Sequence, residues 1–225
     1  LHLSLRRQRQ MCIRDSTIVD ALANITSRLE QNYAMRRDKA QEFFYLDSAK
    51  RLILVTSHRR ENFGAPMERI CSALRAIVTS HADTELVFPV HLNPNVRGTV
   101  YDILGTLDKS VAERVHLIEP VDYFSFTYLM MQAHIILTDS GGIQEESPSL
   151  GVPTLVLREN TERPEAVASG CALLVGTDKE KIVDEANRLL LDSAHHGAMS
   201  RATSPFGDGK AGQQIVEILE TGVWP

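Results

Sequence analysis

The residues best suited to chemistry in this chain lie in the run Thr138-Asp139-Ser140-Gly141-Gly142-Ile143-Gln144-Glu145-Glu146. Two glycines directly after an apolar run allow a sharp turn and bring main-chain N–H groups close to a ligand. The turn that follows starts a helix, whose unpaired N–H groups and dipole favour an anion, above all a phosphate. Glu145 and Glu146 stand in that first helical turn, and Glu146, as a two-oxygen acceptor, suits a ribose diol. Arg158 and Arg163 follow the next apolar run and belong to the same edge. A Gly-Gly turn alone is commonplace in α/β chains. The combination is what suits a nucleotide diphosphate: main-chain N–H groups for the phosphates, a glutamate for the sugar, and arginine for charge.

Further polar stretches follow other apolar runs. His58 sits in Ser57-His58-Arg59-Arg60-Glu61-Asn62-Phe63-Gly64, beside two arginines able to hold anionic charge. His91, in Pro89-Val90-His91-Leu92-Asn93-Pro94, is balanced between a surface residue and a site residue. Phe126 reads as core by its periodicity, although an aromatic ring at a strand edge can also face a base. His116 and His134 lie within or just before apolar runs and read as core or solvent contacts. The sequence holds no HExxH, CxxC or carboxylate cluster, so no metal is expected.

Six short apolar runs must position these groups: residues 51–57, 85–90, 115–118, 135–137, 154–157 and 172–175. Helical patterns separate them. Residues 66–80 turn Ile70, Leu74 and Ile77 inward, and residues 96–104 and 123–133 follow. A capping box, Thr177-Asp178-Lys179-Glu180, opens a helix with Ile182, Ala186, Leu189 and Leu190 on one face. Upstream, Ile18, Leu22, Ile25 and Leu29 recur on one face of a helix, and residues 32–50 are mixed and charged. After residue 193 a loop through residues 195–209 leads to a last helix, 213–220. Apolar strands alternating with helices make an α/β fold with a doubly wound parallel sheet, whose ligands bind beyond the carboxyl ends of the strands. Five consecutive strands deliver polar or aromatic groups to that edge.

The composition narrows the field. A length of 225 residues fits one large domain or two small ones, and 43% hydrophobic residues suffice for a core. A net charge of −5 argues against a general nucleic-acid binder. No apolar run approaches the roughly 20 residues of a membrane span. Cys12, Cys71 and Cys171 are too scattered for a disulfide framework and read as thiols of a reduced, cytoplasmic protein. Residues 1–16 are basic and lack a clear period. They are expected to be a start that does not belong to the mature fold, disordered or artefactual.

Together, Ser57 through Gly64, Pro89 through Pro94, Leu137 through Glu146, Thr161-Glu162-Arg163-Pro164-Glu165-Ala166 and Phe206-Gly207-Asp208-Gly209-Lys210-Ala211 resemble the non-hydrolysing UDP-N-acetylglucosamine 2-epimerases. The resemblance runs from about residue 17 to the C-terminus. It implies one Rossmann-like half of a two-domain, glycosyltransferase-B-type architecture, with the N-terminal domain of the same enzyme missing. Residues 17–50 would form the helical connection from that domain, 51–193 the UDP-binding domain, and 194–225 a loop and C-terminal helix. The implied reaction inverts C2 of UDP-N-acetylglucosamine by eliminating UDP to a glycal and adding it back, without a cofactor, in a full-length homodimer. Ser140, Gly141 and Gly142 would hold the phosphates, Glu146 the ribose, and Phe126 would lie near the uracil. Arg163 and His58 would sit near the phosphates, His58 as donor to the departing oxygen. His91 resembles a position linked to a second, regulatory UDP-N-acetylglucosamine. The acids that move the C2 proton would lie in the absent domain, leaving this chain inactive alone. A hydrolysing epimerase, a UDP-sugar transferase of the same architecture and a catalytically inactive UDP-sugar-binding fragment are the alternatives.

Overall fold

The computed structural model describes residues 16–222. Residues 1–15, expected to stand apart from the fold, lie outside the described residues. Six strands, β1 (Arg51–Thr56), β2 (Thr84–Pro89), β3 (Val115–Ile118), β4 (Ala133–Thr138), β5 (Thr154–Val156) and β6 (Ala172–Leu174), form one sheet in the order β3-β2-β1-β4-β5-β6. Every pairing is parallel, and the order is that of a doubly wound, Rossmann-like sheet. The strands read as continuous apolar runs because helices cover both faces.

Alternation along each strand divides the core. Ile53 and Val55 join Leu86, Phe88, Ile135 and Leu137 with Ile70, Leu74 and Ile77 of helix Ala65–Ser80 and Ile182 of helix Lys179–Leu191. Leu52 and Leu54, with Val87 and Ile136, face Leu22 of helix Thr17–Gln31 and Leu129 and Met130 of helix Tyr123–Gln132. The chain steps outward from β1 to β3 and then returns to lay β4 on the other side of β1. Their register sets Thr56 opposite Thr138, with the two hydroxyls 2.7 Å apart. The crevice at this reversal is where an open α/β sheet takes its ligand.

Several details differ from the sequence expectation. The first helix buries Val19 (2% exposed) rather than Ile18 (38%). Val19 is chosen by a distant cover, since it packs in a cluster with Phe206, Val156 and Ala166. Ser16 belongs to the fold: it caps helix Thr17–Gln31, accepting from the Ile18 N–H at 3.3 Å, and its own N–H donates to the Phe206 carbonyl at 2.8 Å. The helix after β6 is capped by Asp178, which accepts from the Lys181 N–H at 2.9 Å. Thr177 instead accepts from Arg69 Nη2 at 3.0 Å and donates its N–H to Glu159. The expected loop from residue 195 begins with a helix, Ser193–Ser200, which Asp192 caps by accepting from Ala194 and His195 N–H groups, each at 2.9 Å. The His196 ring of that helix stacks on His134 at 4.0 Å. His116 pairs with the buried Glu85 at 2.7 Å.

Candidate functional site

The floor of the crevice is a carboxylate that the sequence reading did not single out. Asp139, which directly follows β4, is fully buried. It accepts from Ser57 Oγ at 2.8 Å and, each at 2.9 Å, from the N–H groups of His58 and Arg59 and from Asn62 Nδ2. Asn62 Nδ2 also lies 3.1 Å from the Leu157 carbonyl, so this one amide ties the ends of β1, β4 and β5 together. A buried carboxyl group is tolerated only when hydrogen-bond partners satisfy it in this way. Asp139 stands inside a motif whose neighbours were read as ligand groups. Its partners follow from the β1–β4 adjacency, which local sequence does not announce.

Around this floor the structure brings together four of the expected site residues. His58, His91, Phe126 and Ser140 line one cleft, with Pro89, Val121 and Ile143 among its walls. The cleft encloses about 230 Å³, below the roughly 300–1,000 Å³ of pockets that enclose a drug-sized ligand. It therefore reads as one wall of a larger site. The His58 side chain is 42% exposed, with Nδ1 3.4 Å from Asp139 Oδ1. Its ring stacks against His91 at a centroid distance of 5.8 Å. Phe126 is half-buried and packs against the core beneath while lining the cleft above.

The glycine turn forms the second part of the site. Gly141 and Gly142 open a short helix, Gly141–Glu146, and neither has a positive φ, so the turn itself does not demand glycine. What glycine leaves open is an approach. A Cβ on Gly141 would point at Arg59 Nη2 (3.7 Å) and Arg163 Nη2 (4.0 Å), both ordinary contacts. Two guanidinium groups thus face one backbone position. A Cβ on Gly142 would meet Ser140 Oγ at 3.8 Å and Glu146 Oε2 at 4.0 Å, which gathers the expected phosphate and sugar ligands within one turn. The sequence reading paired Arg59 with Arg60 without separating them. Arg60 is exposed, whereas Arg59 turns inward and its buried Nε has no hydrogen-bond partner.

The charged groups are held in place before any ligand arrives. Arg163 Nε donates to Glu145, which also accepts from the Ser16 hydroxyl. Thr161 Oγ1 donates to Gln144 at 2.5 Å and accepts from the Arg163 N–H at 3.0 Å, while Gln144 donates to the Ser140 carbonyl at 3.1 Å. This relay braces the turn after β4 against the loop after β5. Glu146 is buried and accepts from the Tyr123 hydroxyl. Burial pushes its carboxyl above the usual range and the neighbouring Glu145 charge adds to this, while the Tyr123 hydrogen bond opposes both. Arg158, expected at the same edge, spends its charge on Glu61 at 2.6 Å and braces the loops. Two cations facing one glycine, an acceptor beside the next and an aromatic-lined cleft can hold a multiply charged anion joined to a polyol and a flat ring. Among the described residues no group of three or more His, Cys, Asp or Glu side chains is arranged to hold a metal ion.

The family model for UDP-N-acetylglucosamine 2-epimerase matches residues 9–220, starting upstream of the Thr17 at which the resemblance was expected to begin. A probable UDP-N-acetylglucosamine 2-epimerase of Ralstonia solanacearum is 52% identical over 205 residues, covering 91% of this chain and 53% of the relative. The crystal structure of the UDP-GlcNAc 2-epimerase from Neisseria meningitidis bound to UDP-GlcNAc superposes with a TM-score of 0.86 at 40% identity, over 92% of this chain and 54% of that one. The glycosyltransferase WaaG, at 17% identity and a TM-score of 0.59 over 86% of this chain and 53% of its own, shares the fold alone. The chain spans about half the length of the relatives it matches.

Proposed function

This chain belongs to the UDP-N-acetylglucosamine 2-epimerase family, and from that membership we propose that it is the nucleotide-holding half of an enzyme interconverting UDP-N-acetylglucosamine and UDP-N-acetylmannosamine. The observation that carries the reading is the convergence of Arg59 and Arg163 on Gly141, with Glu146 beside Gly142. In this reading the Ser140-Gly141-Gly142 turn and the two arginines hold the diphosphate, Glu146 takes the ribose, and Phe126 lies near the uracil. When the C1–O bond breaks and the C2 proton leaves, a glycal forms and negative charge grows on the departing UDP. Fixed cations and N–H groups stabilise such charge without reorganising. His58 stands near the phosphates as the donor to the leaving oxygen. Re-addition of UDP with protonation of the opposite face of C2 completes the inversion. His91 would serve a second, regulatory nucleotide-sugar site.

The groups that move the C2 proton belong to a partner N-terminal domain, reached through residues 17–50, with 51–193 as the UDP-binding unit. We assign the full-length enzyme to the cytoplasm as a homodimer. Supporting a soluble setting, no helix among the described residues is long and apolar enough to cross a membrane, and Cys71 and Cys171 are free thiols. A sugar transferase has support from the fold alone. The test is calorimetric titration of the chain with UDP in the presence of a chelator, alongside a turnover assay with UDP-N-acetylglucosamine. Weak, metal-independent UDP binding without epimerisation is expected. A folded chain that binds no UDP, or one that epimerises unaided, overturns the reading.

A further inference from the structure

The two carboxyl oxygens of Glu146 stand in different situations. Oε1 accepts from the Tyr123 hydroxyl, the one hydrogen bond this carboxyl makes among the described residues. Oε2 lies 4.0 Å from the point where a Gly142 Cβ would stand, so it borders the space that glycine keeps open. Tyr123 begins helix Tyr123–Gln132, whose first turn is fixed from two sides. Asp122 caps it, accepting from the Ser125 N–H at 2.8 Å. The buried Ser125 hydroxyl donates to Glu42 at 2.8 Å and accepts from Lys39 Nζ at 2.7 Å. Residues three apart share one face of a helix. Tyr123 and Phe126 are so placed, and the first reaches Glu146 while the second lines the cleft. The Tyr123 ring is 38% exposed and is no part of the core. Burial holds its phenol above the ordinary value and the Glu146 carboxylate adds to this, so the hydroxyl stays a donor. For Glu146 the same contact is the one influence that favours the charged form, against burial and the Glu145 charge. An ionised carboxyl is acceptor-only, whereas a neutral one presents a proton.

We propose that Tyr123 is a positioning residue that makes the site selective for ribose: it pins Oε1 of Glu146 and leaves Oε2 as an acceptor for a vicinal diol. The inference rests on the reading of Glu146 as the sugar ligand. A sugar with both hydroxyls donates to a carboxylate already turned and charged, with no rotamer left to fix. A sugar without them leaves that buried charge short of a donor, which is the costly half of the exchange. Without the Tyr123 hydroxyl the side chain is free to rotate and its carboxyl to take up a proton, and the two sugars are poorly told apart. The diphosphate is unaffected, because Arg59 and Arg163 face Gly141 instead.

The experiment compares UDP, 2′,3′-dideoxy-UDP and inorganic pyrophosphate by calorimetric titration of the wild type and Tyr123→Phe. The wild type should bind UDP about 10- to 100-fold more tightly than the dideoxy nucleotide, as the loss of one hydrogen bond to a charged group requires. In Tyr123→Phe that ratio should fall towards parity, with pyrophosphate bound as in the wild type. A preserved ratio overturns the proposal, and so does an equal weakening of all three ligands, which marks a residue that only shapes the turn. A second measurement needs neither a ligand nor that variant to fold: a ¹³Cζ-tyrosine spectrum of the ligand-free wild type against Glu146→Gln. One of the five tyrosine resonances, that of Tyr123, should move, and a spectrum in which none moves overturns the contact. If the wild type binds no UDP, the nucleotide reading fails and the sugar selectivity with it, while the tyrosine spectrum still decides whether Tyr123 holds Glu146.

Discussion

Gly141→Ala separates a ligand approach from a packing requirement. In the ligand-free protein the new methyl group would sit 3.7 Å from Arg59 Nη2 and 4.0 Å from Arg163 Nη2, so nothing has to move. Gly141 has a φ that any residue can adopt, and alanine in a helix is favoured over glycine by up to about 1 kcal/mol. For a chain of this size that corresponds to a Tm unchanged or raised by about 2–4 °C. The methyl nevertheless fills the point that both guanidinium groups face. A phosphate would be pushed outward by the width of a methyl group and would lose one or two charge-assisted hydrogen bonds, each about 1.5–3 kcal/mol. The loss of even one amounts to roughly a 10- to 100-fold weaker affinity for UDP. Calorimetric titration with UDP at low salt, together with thermal unfolding of both proteins, reads the two effects separately. An Ala variant that binds UDP as well as the wild type means that the anion sits elsewhere. A variant that loses several degrees of Tm means that Gly141 serves packing, and either result refutes the argument.

Glu146→Gln preserves shape and one acceptor but removes the charge that Tyr123 and the proposed ribose contact share. It should weaken UDP binding by about 1–3 kcal/mol in the same titration, the range for hydrogen bonds to charged groups. Ser16→Ala removes the cap of helix Thr17–Gln31 and a donor to Glu145. It should cost about 0.5–2 kcal/mol of stability, measured by denaturant unfolding, and no loss there would remove Ser16 from the fold. His134 is pushed down to about 4, first by burial and then by the neighbouring His196 and Arg51 charges. A depressed folded value means that its contribution is present above its ordinary value near 6.5 and is lost as pH falls towards 4. Discounted for its partial exposure, the loss should be on the order of 1–2 kcal/mol. His134→Phe, which keeps the stack on His196, should flatten the stability profile between those pH values relative to the wild type, and parallel profiles would refute the assignment.

The parts of this molecule legible in the sequence are those whose cause is local. The strands announce themselves because burial on both faces makes each one apolar at every position, as in Leu52 through Val55. The glycine turn is legible because the residues that gather there, Ser140 to Glu146, are neighbours in the chain. What escaped depends on contacts between distant segments. Ile18 sits nearer the centre of its helix's apolar stripe than Val19 does, yet Phe206, arriving from the far end of the chain, covers Val19. Helix Ser193–Ser200 is a poor helix by composition, with His195, His196 and Gly197 in its middle. A double cap from Asp192, the burial of Met199 and the His134 stack sustain it. Arg59 and Arg60 are indistinguishable in sequence and separate only when the loop after β1 is folded onto Asp139. That loop lies about 80 residues from its anchor, and the two meet because the chain reverses its winding between β3 and β4. The switch point therefore both creates the crevice and hides its wiring. The groups that would touch a ligand are written in short motifs, while the residue that aims them is recognisable only once β1 and β4 lie side by side.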